Sequence, residues 1–449
     1  MTESQGRFDR RSLLGVATAA SYQRILGANE RVGVGIIGYG LIGAQHVYDF
    51  LRQPDAELVA VSDAYRPRLE EGVAACGGRA KAYPDFRRLL EDRDVQAVVV
   101  ATPDHWHALM TMMACAAGKD VYVEKPMTLF AREGEWMEQA ARRYRRVVQV
   151  GTQQRSGHHY GRARELIRAG HLGQVHSVRM ASFRNVMPGF GQPTGGVPAG
   201  LDYDMWLGPA PERPYSPHRA LYHFRWFWDY SGGQMTNLAA HEIDIMLWFL
   251  GAGPPTAVAA GGGRFVLEDD GETPDTMDAL FEFPGFTALY SYREGSRGSG
   301  AGGGSEYFGT KGSLTIHRGA FQVHPDLKRP PESAIPRFRG GPFGAPGRRE
   351  APTEYLTEPA SEKGSGQEQF DRHARNFLDC IKTRETPIAG VSDGQQVALC
   401  CHLANISLRT GRKIFWDRDA GAIAGDPDAA EQLERPYRKP WDGILRSLL

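Results

Sequence analysis

"RVGVGIIGYGLIGAQHVYDFLRQ" occupies residues 31–53, and the fold turns on how it is read. Val32 to Ile37 is a continuous apolar run, the pattern of a strand buried on both faces. Gly38-Tyr39-Gly40-Leu41-Ile42-Gly43 then turns the chain, and Ile42, Val47, Phe50 and Leu51 recur at the spacing of an amphipathic helix. G-x-G-x-x-G between a strand and a helix lets backbone approach a pyrophosphate, whose charge meets the helix N-terminus. The next apolar run, "AELVAVSDA", ends at Asp63, 20 residues after Gly43. A carboxylate there reaches the adenosine ribose hydroxyls and repels a 2′-phosphate, which favours NAD over NADP. Arg66, three residues further on, keeps NADP admissible.

The alternation continues outward. "PRLEEGVAACGG" predicts a helix, "DVQAVVVATP" a buried strand and "HALMTMMACAAGKD" a second helix. Val121 to Val123 opens another strand, and a helix over 133–146 leads into "RVVQVGTQQR". Strands and helices at this spacing predict a doubly wound parallel sheet over residues 31–150, with its ligand crevice beyond the strand C-termini. Residues 151–449 have a different character. A helix at 160–170 precedes "QVHSVRMASFR", which alternates like a half-exposed strand, and the aromatic, proline-rich stretch at 200–230 reads as loop. A helix over 233–250 follows, then strands near 256–268, 277–284, 286–293 and 313–324. Residues 325–365 show no periodicity and read as a long excursion. Helices resume at "QEQFDRHARNFLDCIKT" and "GQQVALCCHLANISLRTG", so the second domain is expected to be α+β on an open antiparallel sheet.

With 449 residues the chain exceeds one ordinary domain, consistent with two. Lys plus Arg equals Asp plus Glu at 53 each, so no net field draws nucleic acid or a membrane surface, and a small-molecule partner is expected. No apolar run reaches the roughly 18 residues of a membrane span. The five cysteines follow no metal-ligand spacing; no metal site is expected, and they read as small core residues. At the N-terminus, "RFDRRSLLGVATAA" sets Arg10 and Arg11 before an apolar run from Leu13 to Ala20. That is the layout of a twin-arginine export signal over residues 1–28, which implies a periplasmic or otherwise exported protein. A basic tail on a cytoplasmic protein is the alternative.

A further stretch, "KDVYVEKPMTLF" at 119–130, ends a core strand on Glu124-Lys125-Pro126. A dinucleotide domain that ends this way resembles the glucose-fructose oxidoreductase and inositol dehydrogenase family (Gfo/Idh/MocA). "TPDHWHALM" (102–110), "GTQQRS" (151–156), "DYDMWLGPAP" (202–211), "FRWFWDYSGGQMTNLAAHEIDI" (224–245) and "RPYRKPW" (435–441) look like its exported bacterial branch. The resemblance implies a nicotinamide cofactor, sugar or polyol substrates, and a homo-oligomer paired through the open sheet face. It implies a cofactor site of Gly38 to Gly43, Asp63, Thr102, Pro103, His107, Glu124 and Lys125. Lys125 would hydrogen-bond the reacting hydroxyl, its direction fixed by Pro126 through a cis peptide, which proline makes accessible.

His241 matches the catalytic histidine of the family's second motif, and imidazole titrates in the range that takes a hydroxyl proton as hydride leaves. The family places Asp four residues earlier; this chain has Asn237, which can orient but cannot stabilise imidazolium by charge. Asp244, three residues after His241, is either the missing carboxylate or a packing residue. Arg155 with Trp226, Trp228 and Tyr230 is either a sugar-stacking wall or a packing cluster. The leading function is an oxidoreductase acting on a sugar, polyol or glycoside hydroxyl. The others are an NAD-dependent glycosidase working by oxidation, elimination and re-reduction, and a non-catalytic cofactor-holding protein.

Overall fold

The computed structural model describes residues 31–298, 303–328 and 354–449. The twin-arginine segment and most of the stretch at 325–365 lie outside the described residues. In the first part of the chain, β1 (Val32–Ile37), α1 (Leu41–Leu51), β2 (Ala56–Ser62), α2 (Arg66–Ala75), β3 (Lys81–Tyr83) and α3 (Phe86–Glu91) alternate. β4 (Ala97–Val100), α4 (Asp104–Ala116), β5 (Asp120–Val123), α5 (Arg132–Tyr144) and β6 (Val148–Val150) complete the unit. The strands are parallel in the order β3-β2-β1-β4-β5-β6. The order reverses between β1 and β4, which opens the crevice beyond Ile37 and Val100.

Helices cover both faces of this sheet, so every residue of β1 is buried. α4 is buried along its whole length because the C-terminal residues Tyr437, Trp441, Leu445 and Leu448 join the same apolar core. The opposite face is closed from the second half of the chain as well. There Ala374, Phe377, Leu378, Cys380 and Ile381 pack with Val32, Val34 and Phe50. Arg375 pairs with Asp55 at 2.5 Å and Arg384 with Asp120 at 2.7 Å across that contact. All five cysteines are free and buried.

The second sheet has ten strands. They are β7 (Val175–Phe183), β8 (Ala257–Gly263), β9 (Thr276–Phe283), β10 (Phe286–Arg293), β11 (Gly303–Gly309), β12 (Gly312–His317), β13 (Ala320–Pro325), β14 (Ser361–Lys363), β15 (Ile414–Asp417) and β16 (Ala422–Ala424). Their order is β14-β13-β12-β11-β7-β10-β9-β8-β15-β16. The sheet is mixed, not purely antiparallel, because β7 and β10 pair in parallel at its centre. The helices of this half of the chain are α6 (His158–Arg168), α7 (Tyr203–Leu207), α8 (Gly233–Asn237), α9 (Ala239–Leu250), α10 (Gly366–Thr383), α11 (Val391–Thr410), α12 (Pro427–Ala430) and α13 (Trp441–Leu448). α6, α9 and α11 cover one face of the sheet.

Four expectations change here. The strand read over 313–324 is a hairpin that turns at Arg318-Gly319. β8 ends at Gly263 because the Phe265, Val266 and Leu267 N–H groups all donate to Asp275 Oδ2 instead of a neighbouring strand. β11, absent from the strands expected above, arises from a glycine-rich stretch; Ser305 and Tyr307 face inward, and the Ser305 hydroxyl donates to Glu242. The single helix over 233–250 is interrupted at Leu238.

Candidate active site

A cleft opens at the switch point, lined by Gly38, Gly40, Leu41, Ile42, Asp63, Thr102 and Pro103 from the parallel-sheet unit. Its far wall comes from the second half of the chain: Met205, Trp206, Leu221, Tyr222, Phe224 and Arg225. The glycines differ in what demands them. Gly38 has φ +93°, and a Cβ there would lie 2.7 Å from the Ala101 carbonyl; one at Gly43 would lie 2.0 Å from the Gly38 carbonyl. A Cβ at Gly40 would meet only Arg68 Nη1, at 3.7 Å, and would project into the cleft. The protein's own packing therefore does not require glycine at position 40, and the space it leaves belongs to the cleft. α1 starts with no side-chain cap and no acidic residue in its first turn, so its N–H groups are free to hold an anion.

Asp63 sits at the other end of this floor. One carboxylate oxygen accepts from Tyr39 N at 2.7 Å and the other from Tyr65 N at 2.8 Å. Burial raises its pKa, opposed by those two N–H bonds. Each oxygen keeps a lone pair for a ribose hydroxyl. Arg66 is not among the residues that line the cleft; its side chain lies against Gly200, and Arg68 is the guanidinium on the cleft wall. Tyr39 supplies backbone to Asp63 while its ring packs at Gly72. These residues fit a dinucleotide. The buried Thr102 Oγ1, without a partner among the described residues, adds an unclaimed polar atom on the same wall.

Beyond Val123 the chain runs into Glu124, whose carboxylate is fixed by His46 Nε2 at 2.8 Å and by the Lys125 N–H at 3.0 Å. Burial pushes the Glu124 carboxyl up, but the His46 bond and the nearby Lys125 charge outweigh it and hold the pKa low. The Lys125-Pro126 peptide is cis. Lys125 Nζ donates to Asn237 Oδ1 at 2.9 Å and to the Asn237 carbonyl at 3.2 Å. Burial lowers its pKa to about 8, opposed by Glu124. Asn237 Nδ2 donates onward to Gln234 Oε1 at 3.0 Å, and Gln234 Nε2 to Glu294 Oε1 at 3.0 Å.

His241 lies within electrostatic reach of Lys125. Its ring makes no hydrogen bond among the described residues, and Nδ1 is buried and unpartnered. Burial, with the Arg318 and Lys125 charges beside it, holds its pKa well below the usual histidine range. The ring is therefore held neutral, with a free nitrogen that can accept a hydrogen bond from a substrate hydroxyl.

Several expected residues are placed elsewhere. Asp244 does not serve His241, because Arg155 Nε binds both its oxygens, at 3.0 and 2.9 Å. Arg155 is thereby removed from any sugar pocket; it also pairs with Asp393 at 3.0 Å, and its guanidinium is buried. His107 makes no contact with the cleft: its two ring nitrogens bond the Thr102 and Pro126 carbonyls at 2.8 and 2.7 Å, tying two strand-end loops together. The aromatic trio is a packing cluster. Tyr230 is fully buried against Trp206, Trp226 donates from Nε1 to Glu294 at 2.8 Å, and Trp228 lies under the Arg409 guanidinium. Asn237 faces Lys125 rather than His241, because the helix break at Leu238 separates the two positions.

Two residues of the site escaped the sequence reading. Asp104, buried at the start of α4, accepts a short hydrogen bond from the Ser231 hydroxyl; burial raises its pKa, opposed by charges that include Arg225 and Lys125. Arg225 stands inside the aromatic stretch at 200–230 that reads as loop. Neither position carries a spacing signal.

A strand-order reversal, a glycine loop at an uncapped helix, and a half-buried lysine within electrostatic reach of a buried histidine define an NAD-binding oxidoreductase. Residues 32–152 match the model of the oxidoreductase family's NAD-binding Rossmann fold, and residues 190–260 its C-terminal alpha/beta domain. The chain belongs to the Gfo/Idh/MocA oxidoreductase family. It is 23% identical over 399 residues to myo-inositol 2-dehydrogenase of Thermotoga maritima, covering 86% of this chain and 99% of that one. It is 28% identical over 291 residues to scyllo-inositol 2-dehydrogenase (NAD(+)) of Bacillus subtilis, covering 64% and 74%. Among solved structures, levoglucosan dehydrogenase in complex with NADH and levoglucosan superposes with a TM-score of 0.64 at 20% identity, over 86% of this chain and 99% of that one.

Proposed function

We propose that this enzyme moves hydride between NAD and a hydroxyl-bearing carbon of a sugar, polyol or glycoside. The observation that carries the reading is a half-buried lysine at the end of β5, within electrostatic reach of a buried histidine whose ring is left without a partner among the described residues. Lys125 directs two of its three N–H bonds at Asn237 and keeps the third for the substrate oxygen. His241, neutral because of its burial, takes the hydroxyl proton as the carbon is oxidised and returns it in the reverse direction. Bound NAD supplies the hydride acceptor; the chain supplies placement and proton transfer. Relatives named for inositols and a fold neighbour named for levoglucosan support the substrate class.

A panel of inositols, pyranoses and methyl glycosides offered with NAD, read by NADH fluorescence, tests this. Reduction of NAD by at least one member, lost in Lys125→Ala, is expected. No turnover of any kind would overturn the reading. Glycoside cleavage without NADH accumulation would favour the second reading, a closed oxidation–elimination–reduction cycle. That reading is supported by the Leu221–Arg225 segment on the cleft wall, which suits a cofactor that stays bound. Export through Arg10 and Arg11, tested by cell fractionation, suits the same arrangement. Self-association through the outer face of the ten-stranded sheet, where Leu280 is 40% exposed, is tested by sedimentation.

A further inference from the structure

We infer that His46 is a positioning residue for the reaction: from α1 it holds the Glu124 carboxylate beside Lys125, and through that carboxylate it keeps the Lys125 ammonium charged where the substrate hydroxyl arrives. The inference rests on Lys125 as the group that meets that hydroxyl, and on no particular substrate.

His46 stands three residues after Gly43 and is buried in α1. Its Nε2 lies 2.8 Å from Glu124 Oε1; an ionised carboxylate only accepts, so Nε2 carries the proton. Glu124 Oε2 takes the Lys125 N–H at 3.0 Å, which gives each oxygen of this buried carboxylate one donor. On the other side of the ring, Nδ1 faces Asp49 Oδ2 at 4.0 Å, and neither atom has a hydrogen-bond partner among the described residues. Asp49 Oδ1 is held by Gln45 Nε2 at 2.8 Å and Gln367 Nε2 at 2.9 Å, and the Tyr122 ring packs edge-on to His46 at 4.7 Å. Packing alone does not account for this arrangement. An apolar side chain would fill the same place without burying an unpaired nitrogen.

The effect reaches Lys125 through one charge. Burial lowers the Lys125 pKa to about 8, and Glu124 is first among the charges that oppose the lowering; Asp104 also opposes it, while Arg225 and Arg318 add to it. Glu124 itself stays ionised because the His46 bond, with the Lys125 and His107 charges, outweighs its burial. Without the His46 donor the carboxyl takes up a proton, the negative charge beside Lys125 is lost, and Lys125 gives up its proton at a lower pH. The other titratable groups near the pair do not replace it. Burial pushes Tyr122 well up and His373 down to about 4, so both stay neutral. His107 commits both ring nitrogens to carbonyls, and Asp49 lies beyond the His46 ring.

The test reads Lys125 directly, as the pH dependence of its acetylation by acetic anhydride in the full chain, with the exposed Lys311 as internal standard in the same digest. The variants are His46→Leu, His46→Gln, Glu124→Gln and the His46→Leu/Glu124→Gln pair. In His46→Leu and in Glu124→Gln the midpoint should fall by about 1–3 units, the range for losing a nearby opposite charge. The pair should fall no further than Glu124→Gln alone, because both changes act through one carboxylate. His46→Gln, whose amide can still donate to Glu124, should keep the midpoint of the unaltered protein. On a turned-over substrate, the alkaline limb of the pH–rate profile in His46→Leu should move down with the midpoint. An unshifted midpoint in Glu124→Gln or His46→Leu overturns the assignment. Additive shifts in the pair, or a His46→Gln midpoint as low as that of His46→Leu, also overturn it. If His46→Leu does not fold, Glu124→Gln and His46→Gln decide the question by themselves. Labelling needs no turnover, so a substrate panel without activity would strike the proposed reaction and leave the labelling result intact.

Discussion

Lys125 Nζ lies 2.9 Å from Asn237 Oδ1, and Asn237 Nδ2 in turn reaches Gln234 rather than His241. Position 237 therefore acts on the lysine. An Asp there would set a carboxylate against an ammonium whose pKa burial has lowered to about 8. In Asn237→Asp the Lys125 pKa should rise by about 1–3 units, because a nearby opposite charge favours the charged form. Where turnover needs protonated Lys125, activity is lost as pH climbs through that value, so the alkaline limb of the pH–rate profile should move upward. A shift of the acid limb instead would tie Asn237 to His241.

Truncating either proton-handling group should separate chemistry from binding. Lys125→Ala and His241→Ala should each lower turnover by about 10²–10⁴-fold. NADH affinity, read by fluorescence titration, should stay nearly unchanged in both. Full activity in His241→Ala would place the proton acceptor elsewhere.

Asp63 binds two backbone N–H groups besides facing the cleft, so its loss should disturb the glycine loop as well as the ribose contact. Asp63→Ala should weaken NAD binding by about 1–3 kcal/mol, the scale of leaving polar partners unpaired. Calorimetric titration checks this, and the unaltered protein should bind NAD more tightly than NADP.

Glu133 is buried and accepts from the Leu129 and Phe130 N–H groups and from the Tyr437 hydroxyl. Burial raises its pKa to about 7, against 4.5 for the free side chain. Between those values the folded protein binds the proton more tightly than the unfolded chain, so stability should fall as pH rises from about 4.5 through 7. The slope is roughly 1.4 kcal/mol per unit for a fully titrating single group. Glu133→Gln should flatten this part of the profile of melting temperature against pH.

The parallel sheet was legible because each of its central strands is buried on both faces and so reads as an unbroken apolar run, with glycines and Asp63 at fixed places. Lys125 was legible because it ends such a run. β11 was not, since a strand of Gly303, Gly304 and Ser305 has little apolar content to display its period; only its sheet neighbours define it. Asp244 and Arg155 looked functional for a physical reason too. A buried ion pair and a catalytic pair use the same residue types, and only the 2.8 Å separation of Arg155 Nη2 from Asp244 Oδ1 tells them apart. Arg225 was hidden in an aromatic stretch, where its guanidinium lies over the Phe224 ring.

Trp441 packs edge-on to Trp106 at 4.7 Å, and Leu445 and Leu448 join the core that α4 shares with β4 and β5. The ribosome makes those residues long after the strands they cover. A nascent chain that has just released residue 150 thus exposes an apolar face of α4 that nothing yet shields, and the α10 side of the sheet is equally bare. The cofactor unit is assembled from three separated stretches of polypeptide, so a fragment cut at residue 150 should be less stable than the same unit in the full chain. Any chaperone that attends this protein should engage it before synthesis ends, and NAD should enter only after the tail has docked.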